Sequence, residues 1–399
     1  MYPLGNELFR GRYLESAPFS AIVLFCVMML NMNLKIEKIE DLGWDKFFES
    51  KRTELGLGDF PVARVIAEHR GAYKIKNENG EFLAKMTGRQ MFKATSREDY
   101  PAVGDWVSVT ELGNKQAVIQ AVLPRKSIIK RRFGDKNKVG EKNDIQVIAT
   151  NVDVAFIVES IGRDYNVNRF ERYLAIVKDA SIKPVIIINK TDLSIASELD
   201  SKLAEIKNRL RDIDAIFTSV INNKGLDRLK AYIQKGETCC FLGSSGVGKS
   251  SLINKLLGKK DIKTGDISSY SDRGKHVTTV REMYFLESGG IVIDNPGIRE
   301  VGIADTSAEI NSVFDEIAIL AKKCRYVDCT HIHEPDCEVL KALKDGILDE
   351  DKYSNYINLK KETEYLEMSQ SEKREKNRSF GKFIKNSKKK LKKSGHKYF

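Results

Sequence analysis

The sequence predicts three folded units: a small N-terminal β-barrel, a central α/β domain on a parallel sheet, and a small C-terminal α-helical domain. Three observations predict it. From about Asp59 to Arg132, short runs of β type (PVARVIAEH, AYKIKN, EFLAKM, DWVSVT, QAVIQAV) are separated by turn signals such as Glu78-Asn79-Gly80. From about Ile145, continuous apolar strands alternate with amphipathic helical stretches. From about Asp305 to Lys361, strand signals vanish and helical segments flank a Cys/His cluster. With 399 residues, 41% hydrophobic and 31% charged, the chain can bury a substantial core, which excludes wholesale disorder. Six cysteines are too sparse for a disulfide scaffold and suit a reduced compartment.

Taken in order, residues 1–31 form an N-terminal extension whose stretch AIVLFCVMML, at 21–30, is too short to span a bilayer and has no small-x-small cleavage site after it. A translation start at Met32 accounts for it, the alternatives being a vestigial targeting segment and a buried local helix. Residues 32–58 are an N-terminal segment. The five short strands of 59–132 fit an oligonucleotide-binding (OB) barrel, a fold whose face accepts single-stranded nucleic acid. Arg125, Lys126, Lys130, Arg131 and Arg132 follow the last strand, as a track for a phosphate backbone or as a charged linker.

Within 145–304 the predicted strands are DVAFIVES, KPVIIINK, AIFTSV, TCCFLG and IVIDNPG. The helices are NRFERYLAIVKDA, ELDSKLAEIKNRL and SSLINKLLG. Residues 305–361 are the helical unit and 362–399 a basic tail. The net charge of +11 is concentrated there: residues 372–399 hold twelve Lys or Arg against two Glu. A polyanion is the natural partner, RNA the preferred one, and a solvated solubilising tail the plain alternative.

Five motifs carry chemistry. Gly243-Ser244-Ser245-Gly246-Val247-Gly248-Lys249-Ser250 fits GxxxxGK[ST] between a strand and a helix. Backbone N–H groups of such a loop cradle phosphates, Lys249 reaches the β and γ phosphates, and Ser250 binds Mg²⁺, with Ser251 counted beside them. Asp294-Asn-Pro-Gly297 closes the strand IVID as a DxxG element, Asp294 holding Mg²⁺ through water and Gly297 sensing the γ phosphate. Asn189-Lys190-Thr191-Asp192 matches NKxD, whose carboxylate accepts from guanine N1–H and the exocyclic amine, a donor pair adenine lacks. GTP is therefore expected over ATP, with Ser219 supporting the base. The base motif precedes the phosphate motif, so the P-loop GTPase domain reads as circularly permuted, which is feasible because domain termini lie close together.

Between the phosphate loop and Asp294, the stretch Gly274-Lys-His-Val-Thr-Thr279 is the expected first switch, Thr278 being favoured over Thr279 for Mg²⁺. Ile298 stands where many GTPases carry a water-orienting glutamine, so hydrolysis should be slow without a partner. His276 is the candidate to position that water, an exposed loop histidine being the plain alternative. The catalytic candidates are thus Lys249, His276 and Thr278. Cys324, Cys329, His331 and Cys337 offer three thiolates and an imidazole, a closed set for one structural Zn²⁺, with His333 able to replace His331. A redox-sensing cysteine cluster is the competing reading. Cys239 and Cys240 lie in an apolar strand and read as packing.

From about Met32 onward the chain resembles the ribosome small-subunit-dependent GTPase A family. The resemblance rests on LGW at 42–44, PAVGDWV at 101–107, RKS at 125–127, NVNRFERYL at 166–174, the permuted motifs and the zinc spacing. It implies an OB barrel, a circularly permuted GTPase core and a C-terminal α-helical zinc-binding domain that docks on the small ribosomal subunit and its rRNA. It further implies a cytoplasmic, monomeric GTP hydrolase without a membrane partner. Such a protein acts late in subunit maturation, is stimulated by the subunit, and is released after hydrolysis. An RNA-binding module with a regulatory or weakly active nucleotide site is the alternative. Val277 replaces the first of three family threonines, DNPG replaces the commoner DTPG, and residues before Met32 have no family counterpart.

Overall fold

The computed structural model describes residues 38–69, 71–133, 144–162, 165–258, 262, 281–295 and 307–393. The extension 1–31 lies outside the described residues, as do His276, Thr278, Gly297 and Ile298. Among the described residues no helix is long and apolar enough to cross a membrane.

Five strands close a barrel: β1 (Val62–His69), β2 (Ala72–Asn77), β3 (Gly80–Met86), β4 (Trp106–Leu112) and β5 (Gln116–Val122). β1, β2 and β3 pair antiparallel, β3 lies parallel to β5, β5 pairs antiparallel with β4, and β4 returns to β1 with Arg64 opposite Trp106. This is the OB order, and it removes the open edges that a five-stranded sheet would expose. Alternation puts Val65, Ile75, Phe82, Ala84, Val107, Val109 and Ile119 inside. Helix α1 (Lys46–Glu54), N-capped by Asp45, precedes the barrel, and the short α2 (Gly88–Lys93) joins β3 to β4. Leu42, Trp44 and Phe48 pack on Trp106 and Leu123 and so plug one side of the barrel.

After the barrel comes an antiparallel hairpin, β6 (Ile128–Phe133) and β7 (Asp144–Thr150). In the basic cluster, the described side chains of Arg125, Lys126 and Lys130 are engaged with carboxylates of the barrel and the N-terminal segment. Arg125 grips the fully buried Asp105 carboxylate at 2.8 and 2.7 Å and donates to the carbonyls of Glu98 and Tyr100. Lys126 pairs with Asp45, and Lys130 lies 3.3 Å from Glu98. A buried carboxylate requires a counter-charge, and Arg125 supplies it to Asp105.

The central sheet comprises β8 (Val154–Ser160), β9 (Lys183–Asn189), β10 (Ala215–Phe217), β11 (Thr238–Leu242), β12 (Glu282–Phe285) and β13 (Ile291–Asp294). Its order is β10-β9-β8-β11-β13, all parallel, with β12 added antiparallel at the edge. Helices α3 (Val167–Asp179), α4 (Ala196–Arg209), α5 (Leu226–Ala231) and α6 (Lys249–Leu257) cover the two faces, which is why the inner strands are continuous apolar runs. Cys239 and Cys240 are fully buried in β11, as packing residues should be. The strand β12 meets β1 at a single position, Glu282 opposite Ala67, and so joins barrel and central sheet.

Helices α7 (Ser307–Val313), α8 (Asp315–Ala321), α9 (Glu338–Lys344), α10 (Glu350–Glu367) and α11 (Gln370–Lys393) complete the chain. The first four do not form an isolated core. Phe314, Ile317, Val339, Tyr356 and Leu359 are buried in one cluster with Phe170 of α3 and Ile293 of β13. The basic tail is helical as far as Lys393, with Phe380 and Ile384 exposed.

Candidate functional site

The loop between β11 and α6 needs glycine at two places where another chain segment passes. A Cβ on Gly243 would lie 2.2 Å from the Val158 carbonyl oxygen, and one on Gly248 would lie 2.3 Å from Asn189 Nδ2. Both glycines also have positive φ, 143° and 99°. The loop thereby curls over the end of the sheet, with Ser245 and Gly246 exposed and Val247 buried beneath. Lys249, 6% exposed, folds back so that Nζ donates to the carbonyls of Gly243 and Ser244, both at 2.8 Å. Burial pushes its pKa down to about 8, opposed by the charges of Asp294 and Glu159. The first turn of α6 carries Lys249, Ser250 and Ser251, so the positive end of that helix faces the loop.

Asp294 ends β13 beside this loop. Its Oδ2 accepts from Ser250 Oγ at 3.2 Å, while the buried Oδ1 has no hydrogen-bond partner among the described residues. Burial raises the carboxyl's pKa, against the pull of Lys249 and Ser250. A buried carboxylate oxygen left unmatched beside a helix-terminal hydroxyl fits a hard divalent cation such as Mg²⁺, which is bound by one or two carboxylates plus substrate phosphates.

The base motif reaches the same place from the end of β9. Asn189 donates from Nδ2 to the Val247 carbonyl at 2.9 Å and accepts from Thr218 Oγ1 at 3.0 Å. Lys190, in a left-handed conformation with φ 61°, donates to the Gly246 carbonyl at 2.7 Å. Thr191 Oγ1 donates to the Thr218 carbonyl at 3.1 Å. Ser219 holds the Asp192 carboxylate through its hydroxyl, at 2.5 Å. Motifs 58 positions apart in the chain are thus bonded side chain to backbone.

In the helical domain the ligand atoms of Cys324, Cys329, His331 and Cys337 all lie within 4.8 Å of one another. Cys324 and Cys337 Sγ are 3.8 Å apart, and they stand 3.6 and 3.5 Å from His331 Nδ1. A tetrahedral ion with bonds of about 2.3 Å to sulfur and about 2.0–2.1 Å to nitrogen needs separations of about 3.8 and 3.6 Å, so the set fits a four-coordinate metal. His331 is buried in the cluster, whereas His333 is exposed.

Two site residues were not legible. Arg169, on α3, donates from Nη1 to Ser244 Oγ at 3.0 Å and lies 3.6 Å from the buried Glu159. Its only sequence signal is its place within NVNRFERYL. Arg64, 1% exposed, donates to the carbonyls of Leu42, Gly104 and Asn151 and fixes the seam between N-terminal segment, barrel and central domain.

The sequence profile of the RsgA GTPase family matches residues 122–304. The small ribosomal subunit biogenesis GTPase RsgA 1 of Bacteroides thetaiotaomicron is 38% identical over 349 residues, covering 87% of this chain and 96% of the relative. The RsgA of Opitutus terrae is 39% identical over 82% of this chain and 90% of its own. Among solved structures, YjeQ of Thermotoga maritima superposes with a TM-score of 0.56 at 26% identity, over 76% of this chain and 98% of that one. YloQ, described as a circularly permuted GTPase, has a TM-score of 0.53 over 78% and 97% and, at 22% identity, supports the fold. With the permuted motifs assembled into one site, the chain belongs to the RsgA family of small ribosomal subunit biogenesis GTPases.

Proposed function

We propose that this chain is a GTP-operated switch on the small ribosomal subunit: it binds the subunit in the GTP state, hydrolyses GTP to GDP and phosphate under the subunit's stimulation, and leaves during late maturation. The convergence of Asn189–Asp192, Ser219, the 243–250 loop and Asp294 on one end of the sheet, despite their reversed order, carries this reading. The backbone from Gly243 to Ser251 cradles the phosphates. Lys249 exchanges its two carbonyl partners for the β and γ phosphates, where its charge offsets the charge that develops on the transferring group. Asp192, held by Ser219, accepts from the guanine edge, and Asn189 and Lys190 lock the base loop to the phosphate loop. Mg²⁺ would be held by Ser250, by Asp294 through water and by Thr278, and would supply positive charge against the phosphates. Gly297 reads the γ phosphate and His276 orients the attacking water.

Cys324, Cys329, His331 and Cys337 would hold one structural Zn²⁺, four ligands leaving no open catalytic position. RNA contact is supported by two surfaces. Helix α2 exposes Arg89, Met91, Phe92 and Lys93, with Phe92 91% exposed, a combination that stacks bases and pairs phosphates. Helix α11 adds the basic tail. The units are barrel 59–132, GTPase domain 145–304, zinc domain 305–361 and tail 362–399, in a cytoplasmic monomer.

Sedimentation with purified small subunits tests the switch. A non-hydrolysable GTP analogue should hold the chain on the subunit at least about tenfold more tightly than GDP, a coupling of ordinary size. Equal retention with both nucleotides would reject it.

A further inference from the structure

Helix α3 has two polar faces that join different parts of the molecule. One faces the nucleotide loop: Arg169 donates to Ser244 Oγ at 3.0 Å, and Tyr173, one turn on, is hydrogen-bonded to the same serine. Ser244 is also the residue whose carbonyl accepts from Lys249 at 2.8 Å. The other face holds the helical domain. Glu171, fully buried, accepts from Arg209 at 2.8 Å and from Asn355 of α10 at 2.5 Å, and Arg209 also donates to Asn168. Arg172 grips Glu362 of α10 with two nitrogens at 2.8 and 2.7 Å, and Lys178 reaches the Ser312 carbonyl of α7 at 2.8 Å. Removing one member of such a buried charged network leaves an uncompensated charge. With the shared apolar core around Phe170 and Phe314, these bonds tie α3 to the helical domain.

We propose that Arg169 is a positioning residue of the nucleotide loop, and that α3 is the link through which docking of the helical domain on the small subunit adjusts that loop for hydrolysis. The partner rests on the function proposed above; the loop contact does not. The path is independent of the chain connection that follows Asp294. When the helical domain shifts, Glu171 and Arg172 carry α3 with it, Arg169 moves Ser244, and Ser244 moves the phosphate loop to which it belongs. A displacement of about 1 Å at this point is enough to change a rate by on the order of a hundredfold.

The test compares full-length Arg169→Gln, Arg169→Lys, Ser244→Ala and Asn355→Leu. Release of a fluorescent GDP is followed without subunits, and kcat and KM for GTP are measured with and without them. Arg169→Gln and Ser244→Ala should each lower the stimulated kcat about tenfold with KM changed less than about twofold, and together do no more than either alone. Lysine at 169 should recover part of the loss. Asn355→Leu should leave unstimulated turnover and bound zinc unchanged and lower the stimulated kcat. Stimulated kcat within about twofold of the unmodified chain in both Ser244→Ala and Asn355→Leu would overturn the proposal, as would losses at 169 and 244 that multiply. If the unmodified chain shows no stimulation, the partner is wrong. GDP release then decides the loop contact: faster release in Arg169→Gln and Ser244→Ala upholds it, and unchanged release rejects it.

Discussion

Lys249, proposed to bind the phosphates, carries its charge in a place that makes the charge costly. Burial lowers its pKa to about 8, so the neutral form gains as pH rises. The protonated fraction falls from roughly nine-tenths at pH 7 to roughly a quarter at pH 8.5, and GDP affinity at fixed Mg²⁺ should fall about fourfold over that interval. Titration calorimetry at the two pH values checks it, and a flat profile would mean that Lys249 stays charged. At the base, Asp192→Asn offers an amide donor where the carboxylate accepted. Xanthine presents a carbonyl where guanine has its amine, so preference should pass from GDP to XDP by about a hundredfold or more. Competition binding with both nucleotides reads this, and retained preference for GDP would remove Asp192 from the base pocket. Lys249 and Asp192 were legible because each belongs to a run of consecutive residues with fixed spacing. Arg169 and Arg64 were not, because their partners Ser244 and Asn151 stand 75 and 87 positions away, and only folding brings them together.

Among the elements, the barrel strands could be read closely because inward and outward residues alternate, as in β3, where Phe82 and Ala84 are buried and Leu83 and Lys85 exposed. β6 escaped notice because half its residues are Lys or Arg, a composition that reads as linker until Asp105, Asp45 and Glu98 are seen to pair with the neighbouring cations. β12 escaped because four residues between the expected first switch and a glycine turn carry too little pattern. The cysteine cluster was legible from its spacing, and its burial sharpens the expectation for it. Cys329, 7% exposed, shares a core with Phe170 and Ile293. Cys329→Ser should therefore abolish the proposed zinc binding and lower Tm by more than about 5 °C, since binding of a structural metal contributes folding energy. Scanning calorimetry with metal analysis reads both, and an unchanged Tm with no zinc in either protein would reduce the cluster to packing. For α11, deletion of residues 372–399 should weaken subunit binding and flatten its salt dependence, because each phosphate contact releases counterions. An unaltered slope in sedimentation at several salt concentrations would make the tail a solubiliser.

Across the whole molecule, the permuted order has a structural consequence beyond the site itself. The chain that leaves Asp294 leads toward α7, which packs on α3, while β12 ties the same edge of the sheet to the barrel. The nucleotide edge is therefore flanked by both parts proposed to touch RNA, and the three-unit division seen in the sequence understates how far they share cores. Shared cores could not be read in advance because apolar positions on α3 and α7 declare only that they are buried, and not against what. A nucleotide site built this way, with Ile298 where a water-orienting glutamine is common, should turn over slowly alone and quickly on its partner. The most direct test is GTP hydrolysis, with ATP as control, in the presence and absence of purified small ribosomal subunits. Stimulation of at least about tenfold, confined to GTP, is the predicted result. Equal rates with and without subunits, or equal use of ATP, would contradict it.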